Sequence, residues 1–541
     1  MVYMLGENRG DAPMKRRSFL TAAASAAALA RPALAQTAGA RTLVFVPQAN
    51  LTSLDPIWTT ATVTRNYGFM VFDTLFGLDA QLTPSPQMVE GFVTEDDGRR
   101  WTMKLRNGLV FHDGSPVLAR DCVASLKRWM QRDGVGQTIA ARMDALEAPD
   151  DRTLVFRLRK PFPSLPFALA KTQPSPPFIM PERIASAVDA SKQITEVVGS
   201  GPFRFEAKEY DSGAAAVFSK FAAYVPRQGT PSFTAGAKVV LVDRVEWKVI
   251  PDPSTANNAL RSGAVDWLEI PLPDLIGQLK ADRNVVVDRL DPFGLYPVMR
   301  PNMAVAPTDN RLLRRAILAA INPVDVMQSF MGDDAASYTA PIGLFLKGTA
   351  YENDAGMDVV GGRKSDADVK AMMREAGYNG ERVVLMHPTD QPFYDAMSQV
   401  CAARLKQVGF NLDDQAMDWG TVVQRRAKRD PLEKGGWSLF CTSFPGADYV
   451  DPLSAPGIRT NGAKGWYGAP EIPRIEALRE AWIDSADLTE KKRLAREIQQ
   501  AVFDEALLVP LGNYRQSAAW RKGVSGHLKG PVPVFWNVAK S

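Results

Sequence analysis

Hydrophobic and polar positions along the chain switch repeatedly between two periods. At 101–106, Trp101, Met103 and Leu105 alternate with Thr102, Lys104 and Arg106, the two-residue period of a strand with one buried face. Asn107-Gly108 predicts a tight turn, with Leu109, Val110 and Phe111 as the returning strand of a hairpin. His112 to Pro116 is a second turn; beyond it Val123, Leu126, Trp129 and Met130 recur at helical spacing, with Asp121 in the first turn. Strand patterns recur at 42–46, 150–158, 239–251, 294–299, 382–387 and 437–444. Helical patterns cover 67–78, 254–262, 311–321, 366–376, 394–408 and 488–506, three of them stopped by Gly263, Gly377 and Gly409. The proline-rich stretch 161–181 predicts a turning, extended connection. Strand, helix, glycine stop and strand in succession predict an α/β sheet with short crossovers.

At 541 residues the chain exceeds one core, and three or four compact units are expected. Composition is that of a globular protein, 45% hydrophobic and 23% charged, and a net charge of +4 over this length implies no nucleic-acid partner. The basic run Arg425-Arg426-Ala427-Lys428-Arg429 is read as an exposed helix face. Cys122, Cys401 and Cys441 exclude a disulfide-dense scaffold, leaving free buried thiols or one bridge, for example Cys401 to Cys441.

The amino end has its own pattern. Lys15-Arg16-Arg17-Ser18-Phe19-Leu20, an alanine-rich apolar run at 21–30, and Arg31-Pro32-Ala33-Leu34-Ala35-Gln36 are the three parts of an export signal, resembling the twin-arginine type. Cleavage is expected after Ala35. The run is too short to span a bilayer of ~30 Å, so no membrane anchor is expected. No cysteine stands at the cleavage site, so the mature protein should be free in a periplasm. Residues 1–13 read as a leader extension, with Met1 or Met14 as the start.

Separated blocks carry a resemblance. Trp101-Thr102, Lys104-Leu105-Arg106, Gly108, Phe111, Asp113-Gly114, Ala119, Asp121 and Ser125-Leu126-Lys127-Arg128 resemble the signature segment of the peptide/nickel-type extracellular solute-binding proteins of ATP-binding-cassette importers. Leu118 departs from that pattern, where a side chain able to cap the helix is usual. Ser53-Leu54-Asp55-Pro56, Asp73 to Asp79, Gly199 to Phe203, Leu260 to Asp266, Arg314 to Ile317 and Trp466 to Ile472 resemble further blocks of the same family. Gly199-Ser200-Gly201-Pro202 lacks the Lys-Ser/Thr ending of a phosphate loop and is read as a structural turn.

The resemblance implies a type II two-lobed periplasmic binding protein fold of the large peptide-binding class, with an extra subdomain on the first lobe. The expected division is 1–35 export signal; 36–78, 199–290 and 507–541 lobe I; 79–198 extra subdomain; 291–506 lobe II. Crossings near 290–300 and 508–514 would form a hinge. The implied function is capture of a small solute, di- or oligopeptide first, with delivery to an inner-membrane ABC permease and ATPase. Nickel chelates, opines and glycosides are the other solutes considered. A monomer without cofactor is expected.

Phe444 to Pro452 resembles the family's ligand loop, which makes Asp448 the partner of a ligand amino group, unless it only caps a turn. Tyr449, Phe444, Trp466, Tyr467 and Trp419 are the expected aromatic walls, and no arginine is assigned to a ligand carboxylate. The competing reading is a secreted hydrolase. Against it, His112, His387 and His527 are scattered without ligand spacing, and no HExxH, CxxC, GxSxG or GxGxxG occurs. The carboxylate pairs Asp96-Asp97 and Asp150-Asp151 fall in turn-like stretches.

Overall fold

The strand Thr42–Val46 buries Leu43, Phe45 and Val46. Phe45 meets Trp267 and Phe535 with ring centroids 5.0 Å away, and Trp247 at 5.5 Å. This cluster sits under the centre of a seven-stranded sheet, in the order Val285–Asp288, Ala518–Arg521, Trp267–Leu268, Thr42–Val46, Arg244–Lys248, Ala215–Lys220, Phe203–Phe205. Thr42–Val46 is parallel to both its neighbours, and the flanking pairs are antiparallel. The computed structural model describes residues 41–541 apart from 174, 335, 362 and 363. The export signal read at 1–35 lies outside the described residues.

A second seven-stranded sheet has Leu295–Pro301 and Leu439–Pro445 side by side at its centre, antiparallel over seven residues. Val383–Pro388 follows, parallel to both Leu439–Pro445 and Leu412–Met417. The helices Pro392–Val408 and Trp419–Arg425 follow the strands Val383–Pro388 and Leu412–Met417, as parallel pairing requires. On the other side Val509–Pro510 and Asn513–Tyr514 pair with Leu295–Pro301. The chain therefore passes between the two sheets at 289–294 and at 515–517, a few residues from the crossings read in the sequence.

A separate antiparallel sheet, Val89–Glu95, Arg100–Leu105, Thr153–Leu158, Met143–Glu147, carries the helix Ala119–Arg132. Trp101, Met103 and Leu105 are buried as their alternation predicts. Leu109 to Phe111, however, do not return along Arg100–Leu105, because Val89–Glu95 and Thr153–Leu158 already occupy both its edges. They fold instead onto 115–117, with Phe111 N–H donating to Ser115 and Val117 N–H to Leu109. Although Leu118 offers no cap, Asp121 Oδ2 accepts the Leu118 N–H at 2.8 Å and starts the helix from its third position.

The helix expected at 67–78 is found at Thr62–Val71, and Phe76–Leu78 is a short strand paired with Pro84–Pro86. The break is set by a turn distant in sequence. Gly199 and Gly201 press against the helix end so closely that a Cβ would lie 1.9 Å from Val71 O and 2.5 Å from Met70 O, and Gly201 N–H caps Val71 O. The glycine turn is thus structural, as read. Cys122, Cys401 and Cys441 are free and buried.

Candidate ligand-binding site

The strand Leu439–Pro445 is buried almost throughout and ends against the first crossing. Gly446 N–H donates to Gly294 O at 2.6 Å, and a Cβ at Gly446 would stand 2.2 Å from Phe293 O. Only glycine lets the loop turn this close to the link between the sheets. The 3-10 turn Gly446–Tyr449 follows, every residue of it buried. Gln173, from the segment after Thr153–Leu158, donates Nε2 to Ala447 O at 2.9 Å, so the loop is held from across the molecule.

Asp448 is 4% exposed, and its Oδ1 has no hydrogen-bond partner among the described residues. Burial pushes its pKa up to about 8; Lys171 and Arg65 pull it down, and Asp133 and Asp451 push it further up. Lys171 is itself paired with the buried Asp133. The carboxyl is therefore a desolvated acid without a counter-charge in contact, a costly state unless something binds it. Asp451 is different: its Oδ1 accepts the Leu453 and Ser454 N–H groups at 2.8 Å and closes a turn.

The aromatic residues expected as walls pack on one another mostly at tilted angles, and none of them is among the residues lining the cavity between the sheets. Tyr449 lies flat on Tyr296, centroids 4.3 Å apart and 14° from parallel, in the core. Phe444 touches Tyr449 at 5.3 Å and Trp466 at 4.8 Å, and Trp466 touches Tyr467 at 5.6 Å. Arg426 sits between Tyr467 and Trp419, 4.4 and 5.5 Å from their ring centres, and Trp419 packs on Tyr394 at 4.7 Å. The basic run is thus not one exposed face. Arg425 and Arg426 turn inward, to Gly435 and Gly436 carbonyls and to the rings, while Lys428 and Arg429 face solvent.

A cavity of about 140 Å³ opens beside this loop, lined from both sheets and both crossings. Trp267, Glu269 and Ala518 come from the first sheet or its ends, Leu295, Ser443 and Pro445 from the second, Asp291 and Gln516 from the crossings. Arg65 and Tyr394 complete the part of the wall used below. Tyr394 is where this aromatic group reaches the cavity; Asp448 meets Arg65 electrostatically from the loop behind Pro445. Burial lowers the Arg65 pKa, opposed by Glu269, Asp448 and Asp291 in that order. Burial raises Glu269 to about 7 and Asp291 to about 6, against the hydrogen bonds that each accepts.

Sequence reasoning passed over Arg65, Glu269 and Asp291. A signal existed for the first: Arg65-Asn66 interrupts the helix Thr62–Val71, in which nearly every residue is buried. Glu269 and Asp291 sit just past short strands in no recognisable pattern, and only the convergence of distant segments brings them to the cavity.

The histidines do not converge. His112 Nε2 meets Gly201 O at 3.0 Å and burial lowers its pKa to about 4; His527 lies between Trp267 and Trp520, also lowered by burial to about 4; His387 sits between Asp395 and Asp414. Asp150 caps the Arg152 and Thr153 N–H groups. Among the described residues no cluster of His, Cys, Asp and Glu is arranged to hold a metal ion, and no helix is long and apolar enough to cross a membrane.

Known proteins share this architecture over nearly the whole chain. A probable peptide ABC transporter periplasmic-binding protein of Sinorhizobium fredii is 37% identical, over 97% of this chain and 99% of its own. The PBP AgaA of A. tumefaciens R10, solved in complex with agropinic acid, superposes with a TM-score of 0.76 at 20% identity, covering 92% of this chain and 99% of that one. A dipeptide binding protein from Pseudoalteromonas in complex with Met-Leu gives 0.76 at 18% identity, covering 92% and 100%. The two solved structures establish the type II two-lobed fold. The model of the bacterial extracellular solute-binding proteins, family 5, matches residues 83–462, and with it the chain belongs to that family.

Proposed function

We propose that this chain is the periplasmic solute receptor of an ATP-binding-cassette importer, taking a di- or oligopeptide between its lobes and handing it unchanged to a membrane permease. Asp448 carries the reading: a buried carboxyl with an oxygen unpartnered among the described residues, three positions beyond Pro445 of the cavity wall, is suited to receive a ligand ammonium. The relatives named for peptide and dipeptide binding support the same solute class. In this reading 36–78, 199–290 and 507–541 form lobe I, 79–198 its extra subdomain and 291–506 lobe II; the two separate seven-stranded sheets and the two short links support it. A ligand touching both lobes selects the closed state, because its binding energy is gained only there. The mature receptor is free and monomeric, its signal removed near Ala35, and it performs no chemistry on its guest.

Thermal-shift screening of the purified mature protein against dipeptides, opines, glycosides and nickel-histidine tests this. A dipeptide is expected to raise Tm and to be recovered intact, and Asp448→Asn to weaken that dipeptide by about tenfold or more, the worth of a charge-assisted hydrogen bond. Stabilisation by a solute without an amino group, unchanged in Asp448→Asn, defeats the reading; so does consumption of the ligand.

A further inference from the structure

Four arginines converge at one end of the separate antiparallel sheet, around a depression of about 270 Å³ lined by Asp96, Arg99, Arg100, Arg157, Leu158 and Arg159. The pairing of Arg100–Leu105 with Thr153–Leu158 puts Arg100 directly opposite Arg157, two like charges on one face of neighbouring strands. Such a pair repels, and each partner leans to an acid of the strand on its other side: Arg100 Nε to Glu95 at 3.3 Å, Arg157 Nε to Glu147 at 3.1 Å. Arg99 and Arg159 have no such relief. Arg99 Nε donates to Asp96 O at 3.0 Å and Arg159 Nη2 to Met143 O at 2.7 Å, and among the described residues neither has a carboxylate in contact. Both are exposed, and Asp96 is the one acid of the lining.

The apolar positions beside this cluster are open to solvent too. Val93 pairs with Thr102, two residues from Arg100, and so shares the face that carries Arg100 and Arg157. At 59% exposure it is the most exposed large hydrophobic residue among those described. Phe92, just before it, touches Trp101 and Phe76 at 5.5 and 5.7 Å yet stays 41% exposed. Both stand on Val89–Glu95, the edge strand of its sheet, where large exposed apolar side chains invite association. A soluble anion would be held by the guanidinium groups alone and would leave these two side chains in water. A surface that is anionic and apolar at once uses both.

We propose that this end of the sheet adsorbs to the anionic headgroup layer of a phospholipid bilayer: Arg99 and Arg159 take headgroup phosphates, and Val93 and Phe92 enter the apolar boundary beneath them. The attachment is peripheral, since among the described residues no helix is long and apolar enough to cross a membrane. It is independent of the solute, because none of these residues lines the cavity between the two seven-stranded sheets. For the receptor proposed above, it confines the search for a permease to the membrane surface.

Co-sedimentation with vesicles tests this on the mature protein, comparing phosphatidylcholine alone with phosphatidylcholine containing phosphatidylglycerol. Binding to the anionic vesicles is expected to be about tenfold or more tighter, and to weaken as salt rises. Arg99→Gln combined with Arg159→Gln should remove most of that preference. Val93→Ser, with every arginine in place, should weaken binding about 2- to 10-fold. All three side chains are exposed, so urea melts of the variants should match the native chain, and the native comparison of the two vesicles needs no variant. Inorganic phosphate and polyglutamate at matched ionic strength separate the sources of negative charge. A Tm shift with inorganic phosphate and no vesicle binding makes this a soluble-phosphate site and overturns the proposal; equally tight binding of polyglutamate makes it a general polyanion surface and overturns it as well. So does equal binding to neutral and anionic vesicles, or a preference for the anionic ones that survives the double arginine variant.

Discussion

At the residue scale, the acids around the cavity decide how the ligand-free protein responds to pH. Below pH 3.8 Asp448 is protonated in folded and unfolded chains alike; between 3.8 and about 8 only the unfolded chain ionises it. Its contribution to stability is therefore complete at low pH and is lost as pH rises toward 8. Glu269, with a usual value of 4.5 raised to about 7, and Asp291, from 3.8 to about 6, act in the same sense over narrower ranges. Asp448→Asn is expected to gain stability over the native chain between pH 5 and pH 8, on the order of 1–3 kcal/mol at the upper end, as read from urea melts at both pH values. Under the role proposed for Asp448, ligand binding has the opposite linkage: an ammonium requires the ionised carboxylate, so affinity should rise from pH 6 to pH 8 with proton release below 8, measurable by calorimetry in buffers of differing ionisation heat. An acid that is costly to the empty protein becomes useful when the guest arrives.

At the element scale, the blocks that betray the family are mostly clamps between segments far apart in sequence. Asp55, in the first block, is fully buried with Arg128 at 2.7 Å, and also accepts the N–H groups of Ile57, Trp58 and Ile194. Asp73 receives Lys238 Nζ at 2.7 Å and Tyr224 OH at 2.9 Å. Asp266 receives the Val44 N–H and Lys540 Nζ, tying the last residues of the chain to the first strand. Arg128→Ala strands Asp55 as an uncompensated buried charge, and a loss of about 3–5 kcal/mol is expected by urea denaturation. That clamp falls within the proposed first lobe and its proposed subdomain, so ligand affinity per folded molecule should change little. The same elements were readable in the sequence because their periods, glycine stops and turn residues are local. The helix at Thr62–Val71 was misplaced because its end is set by a turn 130 residues downstream, and the hairpin at 101–111 because other strands compete for the same edges.

At the scale of the whole molecule, two sheets are joined by two short links, and the segments around the separate antiparallel sheet reach those around the second seven-stranded sheet through polar contacts, Arg142 to Asp484 at 2.8 Å among them. The Gln173 to Ala447 hydrogen bond is another. Gln173→Ala is expected to lower ligand affinity about 2- to 10-fold, the worth of one neutral hydrogen bond, by disfavouring the closed form. Small-angle scattering should then show a smaller ligand-induced decrease in radius of gyration than in the native protein. Identical scattering curves with and without a saturating ligand would argue against lobe closure itself.

The sequence by itself determined the alternation of strands and helices, the family and the loop bearing Asp448, since each is written in neighbouring residues. Only the tertiary structure decided which charges meet. Arg65, Glu269, Asp291 and Asp448 come from four stretches separated by up to 383 positions. Whether a buried charge is paired depends on what packs around it, and chain folding alone sets that. An arginine inside an apolar helix reads as an oddity in one dimension; in three it is a buried cation facing a cavity.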